Sequence, residues 1–150
     1  MENKFLIYLV IVLLFSVIGY FLRLHKFKQL KREIVPKKIK SFSNLLFRLV
    51  SARTSNHFTI GGKSIPVEVY FTRNQMVVFP TRFSLFNSAP LPLEINKRLE
   101  DIVVNYLEDS IEVLYTQHKD DVVLKGKFKL IGTQMQYGEI KEFLNTWLND

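Results

Sequence analysis

The sequence predicts an α+β protein with one long apolar helix near its N-terminal end, an antiparallel sheet after it, and an amphipathic helix near its C-terminal end. Three observations carry this reading. Residues Phe5–Leu22 run for eighteen positions without a charge. From Asn56 onward the apolar residues recur with a period of two, as on a half-buried strand. Further on, Ile140, Phe143, Leu144, Trp147 and Leu148 recur three and four apart, the spacing of one helix face.

At 1.5 Å per residue the first stretch makes a helix roughly 27 Å long, close to the hydrocarbon thickness of a bilayer. Residues 1–22 are therefore expected to form a transmembrane anchor. A cleaved signal peptide and a buried core helix are the competing readings. Against a signal, the segment before the apolar run offers only Lys4, the run is longer than a signal requires, and Arg23-Leu24-His25-Lys26 follows it. Gly19 is the only glycine in the span, so no Gly-x-x-x-Gly pair favours helix dimerisation and a monomer is expected. Beyond the span come Arg23, Lys26, Lys28, Lys31, Arg32, Lys37, Lys38 and Lys40, opposed only by Glu33. Positive flanks stay on the cytoplasmic side, which predicts a single-pass cell-membrane protein with its C-terminal domain in the cytoplasm. The absence of cysteine agrees with a reducing compartment.

The net charge of +7 is unevenly placed. Residues 23–54 hold ten bases and one acid, whereas residues 55–150 hold ten bases and twelve acids. A nucleic-acid-binding domain carries its basic footprint on its folded part, so nucleic acid is not an expected partner. A basic collar beside a membrane helix is instead attracted to anionic headgroups, at about 1 kcal/mol per residue near the surface. Fixing topology alone is the simpler role for the same charges.

Residues 23–54 read as a basic juxtamembrane linker. Leu24, Phe27, Leu30 and Ile34 keep helical spacing, either as a stalk continuing the anchor or as a helix lying in the interface, and Pro36 makes Val35 the expected end. After it, Ile39, Phe42, Leu45, Leu46, Leu49 and Val50 again keep helical spacing and predict a second amphipathic helix, with a strand over 46–52 as the competing assignment.

The sheet domain is expected over residues 55–150. His57–Ile60, Ile65–Phe71 and Gln75–Phe79 read as three strands in meander order, with Gly61-Gly62 supplying positive φ in the first turn and Thr72-Arg73-Asn74 forming the second. Pro66 suggests an edge position or a bulge. The stretch from Ser55 to Pro80, with Tyr70-Phe71-Thr72 leading into Met76-Val77-Val78-Phe79, resembles the opening of GRAM and bacterial pleckstrin-homology-like domains. That resemblance implies a strongly bent sheet of about seven strands, capped by a C-terminal helix whose Phe143 and Trp147 plug one end. Arg82–Phe86 reads as a short strand or loop and 87–92 as a loop. Ile95, Leu99, Ile102, Val103, Tyr106 and Leu107 fit a helix by period, while the resemblance implies a strand around 102–107. Ile111–Thr116 and Val122–Leu130 read as strands joined by a polar hairpin loop at 118–121. In the second, Leu124, Gly126, Phe128 and Leu130 face one way and Lys125, Lys127 and Lys129 the other. The last helix is expected from about Tyr137 or Gly138.

No constellation in the sequence points to an enzyme. His25, His57 and His118 lie apart without metal-ligand spacing, and no phosphate loop or nucleophile motif is present, so no catalytic residue, metal or cofactor is expected. The resemblance implies a module that recognises lipid headgroups or a partner protein at the inner membrane surface. The alternative is a structural or regulatory subunit of a membrane protein complex. Candidate residues are the eight juxtamembrane cations for the membrane surface, and Lys63, Arg73, Lys125, Lys127 and Lys129 for a headgroup or partner face.

Overall fold

The computed structural model describes residues 2–54, 58–82, 91–119 and 122–150, with backbone alone at residues 2, 3, 58–60, 119 and 122. His57, residues 83–90 and Asp120-Asp121, on which parts of the expected strands and loops fall, lie outside the described residues. The chain divides into two compact units, Met1–Pro36 and Lys37–Asp150.

The first unit is helix α1, Glu2–Ile34, whose 33 residues make a rod about 50 Å long. It is long and apolar enough to cross a membrane. The side chains from Phe5 to Phe15 stand exposed, as a helix awaiting an apolar surround requires. The Ser16 hydroxyl donates to the Val12 carbonyl at 2.8 Å, so the one hydroxyl in the middle of the run satisfies itself within the helix. The helix continues unbroken through Arg23–Ile34, as the stalk reading expects, and a single 3-10 turn at Val35–Lys37 ends it at Pro36.

The second unit is an antiparallel open sheet with a helix after it. Its strands are β1 (Lys40–Arg53), β2 (Phe58–Ile60), β3 (Ile65–Phe71), β4 (Gln75–Pro80), β5 (Leu93–Asn96), β6 (Asp101–Tyr106), β7 (Ile111–Lys119) and β8 (Val122–Ile131). Seven of them lie in the order β5-β4-β3-β1-β8-β7-β6, and β2 adds to β1 beside this path. Helix α2, Gln134–Asn149, follows.

The structure departs from three expectations. Residues 39–50 do not form a helix: β1 runs from Lys40 to Arg53, so the sheet includes residues placed in the linker and the second unit starts at Lys37. The cause is a bulge. Asn44 takes φ 58°, and the β1–β3 register shifts between Phe42 and Leu45. Phe42, Leu45, Phe47 and Leu49 all face the core, but the bulge opens a spacing of three between the first two, which imitates a helix. Asn tolerates the left-handed region better than most residues.

Second, the first three strands after residue 55 are not a simple meander. β2 pairs with β1, and β3 pairs with β1 and β4. Third, neither glycine of Gly61-Gly62 has positive φ. Gly61 is small for another reason: a Cβ there would overlap the Leu49 carbonyl, and its N–H donates to the Val50 carbonyl at 2.9 Å. Gly126 is likewise required by close approach, because it leaves room for the ring of its cross-strand partner Tyr115.

The ambiguous stretch from Leu93 to Asp109 holds two strands, β5 and β6, separated by a turn. The turn at Thr72–Gln75 forms as expected, with the Thr72 N–H donating to the Gln75 carbonyl at 2.8 Å. Helix α2 begins a turn earlier than expected, because Thr133 and Gln136 form a capping box: the Gln136 N–H donates to Thr133 Oγ1 at 3.3 Å, and the Thr133 N–H to Gln136 Oε1 at 3.1 Å. Gln136 Nε2 also donates to the Ser43 carbonyl at 2.9 Å, tying the helix start to the β1 bulge.

Ile140, Leu144 and Trp147 of α2 are buried in the core beside residues of the sheet. The Phe71 ring lies 5.0 Å from Phe143 and 5.2 Å from Trp147, both edge-on. Trp147 Nε1 donates to the Thr72 carbonyl at 2.8 Å, which satisfies the one polar atom this large side chain buries. Deeper in the core the Phe47 and Phe128 rings pack at 4.9 Å.

Candidate functional site

The pairing of β1 with β8, and of β8 with β7, builds a cationic surface on the sheet face opposite the core. Directly opposed residues of antiparallel strands share a face. Arg48 faces Lys129, and Arg53 faces Lys125. On the next strand Glu112 faces Lys129, Leu114 faces Lys127, and Thr116 faces Lys125. Arg48, Arg53 and Lys125 are exposed, and Lys127 and Lys129 are partly so. The structure thus brings together the three expected lysines and adds Arg48 and Arg53 of β1 to them.

Among the described residues, one acid is paired with this patch. Glu112 Oε1 accepts from Lys127 Nζ at 3.0 Å and from Asn105 Nδ2 at 3.3 Å. Burial would raise the Glu112 carboxyl, but these two hydrogen bonds and the charges of Lys127 and Lys129 outweigh it and hold the group below the usual carboxylate range. Like charges placed directly opposite on neighbouring strands destabilise a sheet, and this face carries two such pairs, Arg48/Lys129 and Arg53/Lys125.

The juxtamembrane cations divide between the two units. Arg23, Lys26, Lys28, Lys31 and Arg32 are spread around the last third of α1, where Lys31 and Arg32 in the final turn complement the negative end of the helix. Lys37, Lys38 and Lys40 belong to the sheet unit. There Lys38 Nζ lies 5.3 Å from the Tyr70 ring centre and Lys40 Nζ 5.4 Å from that of Phe42. The Tyr70 hydroxyl is pushed up to about 12 by burial and by its bond to Glu68.

Lys63 and Arg73 do not converge. They flank the two ends of β3, whose seven residues span roughly 20 Å. Across the open end of the sheet, Gln117 Nε2 bridges from β7 to the Glu94 carbonyl on β5 at 2.8 Å and to Glu100 Oε1 at 3.1 Å. Burial raises the Glu100 carboxyl against the lowering effect of Gln117.

Among the described residues no group of three His, Asp or Glu side chains could hold a metal ion. No protein-family model matches the chain, and no curated protein shows significant similarity to it.

Proposed function

We propose that this chain is a membrane-anchored binding module, with α1 as its single span and the sheet unit recognising anionic groups at the inner membrane surface. The observation that carries the reading is the pair of opposed like charges, Arg48/Lys129 and Arg53/Lys125, on one exposed sheet face. Folding gains nothing from that arrangement, whereas an anionic surface laid against it relieves the repulsion and adds about 1 kcal/mol per cation. The assignment to the GRAM and pleckstrin-homology-like class rests on the residues of the β3–β4 hairpin that carry the resemblance, and a fold alone does not fix a ligand. The cytoplasmic orientation rests on the cationic flank of the span.

The test uses the full-length protein in nanodiscs of zwitterionic lipid, with and without anionic phosphatidylglycerol, and reads lysine acylation by mass spectrometry. Lys125, Lys127 and Lys129 are expected to react several-fold more slowly in the anionic discs, and the protection to fade at high salt. Equal reactivity in both would overturn the reading. Retention of a membrane protein by such unprotected chains would favour the structural-subunit alternative, for which the exposed Leu99 and Val103 beside the open sheet edge are the relevant surface. Orientation is read separately in this cysteine-free chain: Glu142→Cys is expected to resist an impermeant maleimide in intact cells and to label after permeabilisation.

A further inference from the structure

The sheet unit has a second cationic feature, and it is concave. A cavity of about 500 Å³ opens where the β3–β4 turn, the β5–β6 turn and the last turn of α2 meet. Its walls include Ile39, Arg73, Asn74, Lys97, Arg98 and Trp147. The three cations differ in what they do. Lys97 Nζ donates to the Trp147 carbonyl and lies 5.1 Å from the indole ring centre, so it offsets the negative end of α2. Arg73 and Arg98 are exposed at the rim.

The lining also offers acceptors. Asn74 Oδ1 is buried and makes no hydrogen bond, and the Asp150 carboxylate stands at the same rim. Two guanidinium groups with two hydrogen-bond acceptors suit a phosphodiester that also carries hydroxyls: the forks take the phosphate oxygens and the acceptors take the O–H donors. Ile39 follows the end of α1 by five residues, so the chain coming from the span enters the sheet unit at the wall of this cavity. With α1 as the span, this tether holds the sheet unit near a bilayer, and a membrane lipid is the source of the phosphodiester put to the test.

We infer that this cavity is a headgroup pocket for a hydroxyl-bearing anionic phospholipid of the glycerol-headed kind, with Arg73 and Arg98 binding the phosphate and Asn74 the headgroup hydroxyl. The inference rests on the membrane-surface reading above and assigns it a specific site, distinct from the flat β1–β8 face.

Trp147 is the only tryptophan in the chain and lines this pocket, so a change in its fluorescence on titration is the readout. Full-length protein in zwitterionic nanodiscs is titrated with glycerophosphoglycerol and, separately, with inorganic phosphate. A saturable Trp147 response to the headgroup is expected, weaker with inorganic phosphate. In the double variant Arg73→Gln, Arg98→Gln the response is expected to weaken at least about tenfold, as loss of charged hydrogen-bond donors implies. Both arginines are exposed, so the melting midpoint of the variant should be unchanged. No response, or one that the variant retains, would overturn the pocket, and equal affinity for inorganic phosphate would overturn its assignment to a lipid. Protection of Lys125, Lys127 and Lys129 by anionic discs in the same preparation separates the two failures. Protection without a Trp147 response removes the pocket and leaves the surface reading in place, while a Trp147 response without protection does the reverse.

Discussion

Glu112 is the residue whose chemistry the surroundings alter most informatively. Its carboxyl is held below its ordinary value, so it binds a proton less readily when folded than when unfolded. A depressed carboxylate contributes stability that is complete above the unfolded value and is lost as pH falls through the folded one. Glu112→Gln is therefore expected to cost roughly 1 to 2 kcal/mol at neutral pH and little once the solution is acidic enough to protonate the native carboxyl. Chemical denaturation across a pH series checks this, and a cost that persists unchanged into acid would contradict it. The alternation of Lys125, Lys127 and Lys129 was legible from sequence because a strand turns successive side chains to opposite faces. Their acidic counterpart was not legible, since Glu112 reaches Lys127 only through the β7–β8 register.

Among the elements, α2 and the β3–β4 hairpin announce themselves because their patterns are unbroken. The stripe from Ile140 to Leu148 needs no correction beyond its first turn, which the capping box at Thr133 sets. Strand β1 conceals itself because one left-handed residue, Asn44, breaks its alternation. That bulge also hid Arg48 and Arg53 from the candidate site: only a strand at this place, with a second register shift against β8 between Leu49 and Ser51, sets both beside the lysines of β8. The cavity at the end of α2 was invisible for a related reason: Arg73 and Arg98 are far apart in sequence and line one cavity only through the pairing of β4 with β5. The seating of α2 is itself testable. Trp147 is buried, packs against Phe71 and donates to the Thr72 carbonyl. Trp147→Ala is expected to cost about 3 to 5 kcal/mol, and an unchanged unfolding midpoint would show that the indole holds nothing in place.

At the scale of the whole chain, the boundary between helix α1 and the sheet unit determines what can be cut. Assigning β1 to the sheet shifts ten bases against twelve acids to fifteen against twelve, because Lys37, Lys38, Lys40, Arg48 and Arg53 join the folded part. It also predicts opposite fates for two truncations. A fragment starting at Lys37 is expected to stay soluble and to melt cooperatively, whereas one starting at Ser55 lacks the strand that β2, β3 and β8 all pair with and is expected not to fold. Circular dichroism melting of the two fragments distinguishes them, and cooperative unfolding of the shorter one would refute the topology.

The central place of β1 has a mechanical consequence. Any tug transmitted along the chain from α1 arrives at Lys40, the first residue of a strand clamped between β3 and β8. Pulled lengthwise, such a strand loads its lateral bonds together instead of peeling them one by one. A pull along β1 is thus opposed first by its bonds to β3 and, from Leu46 on, by those to β8 as well.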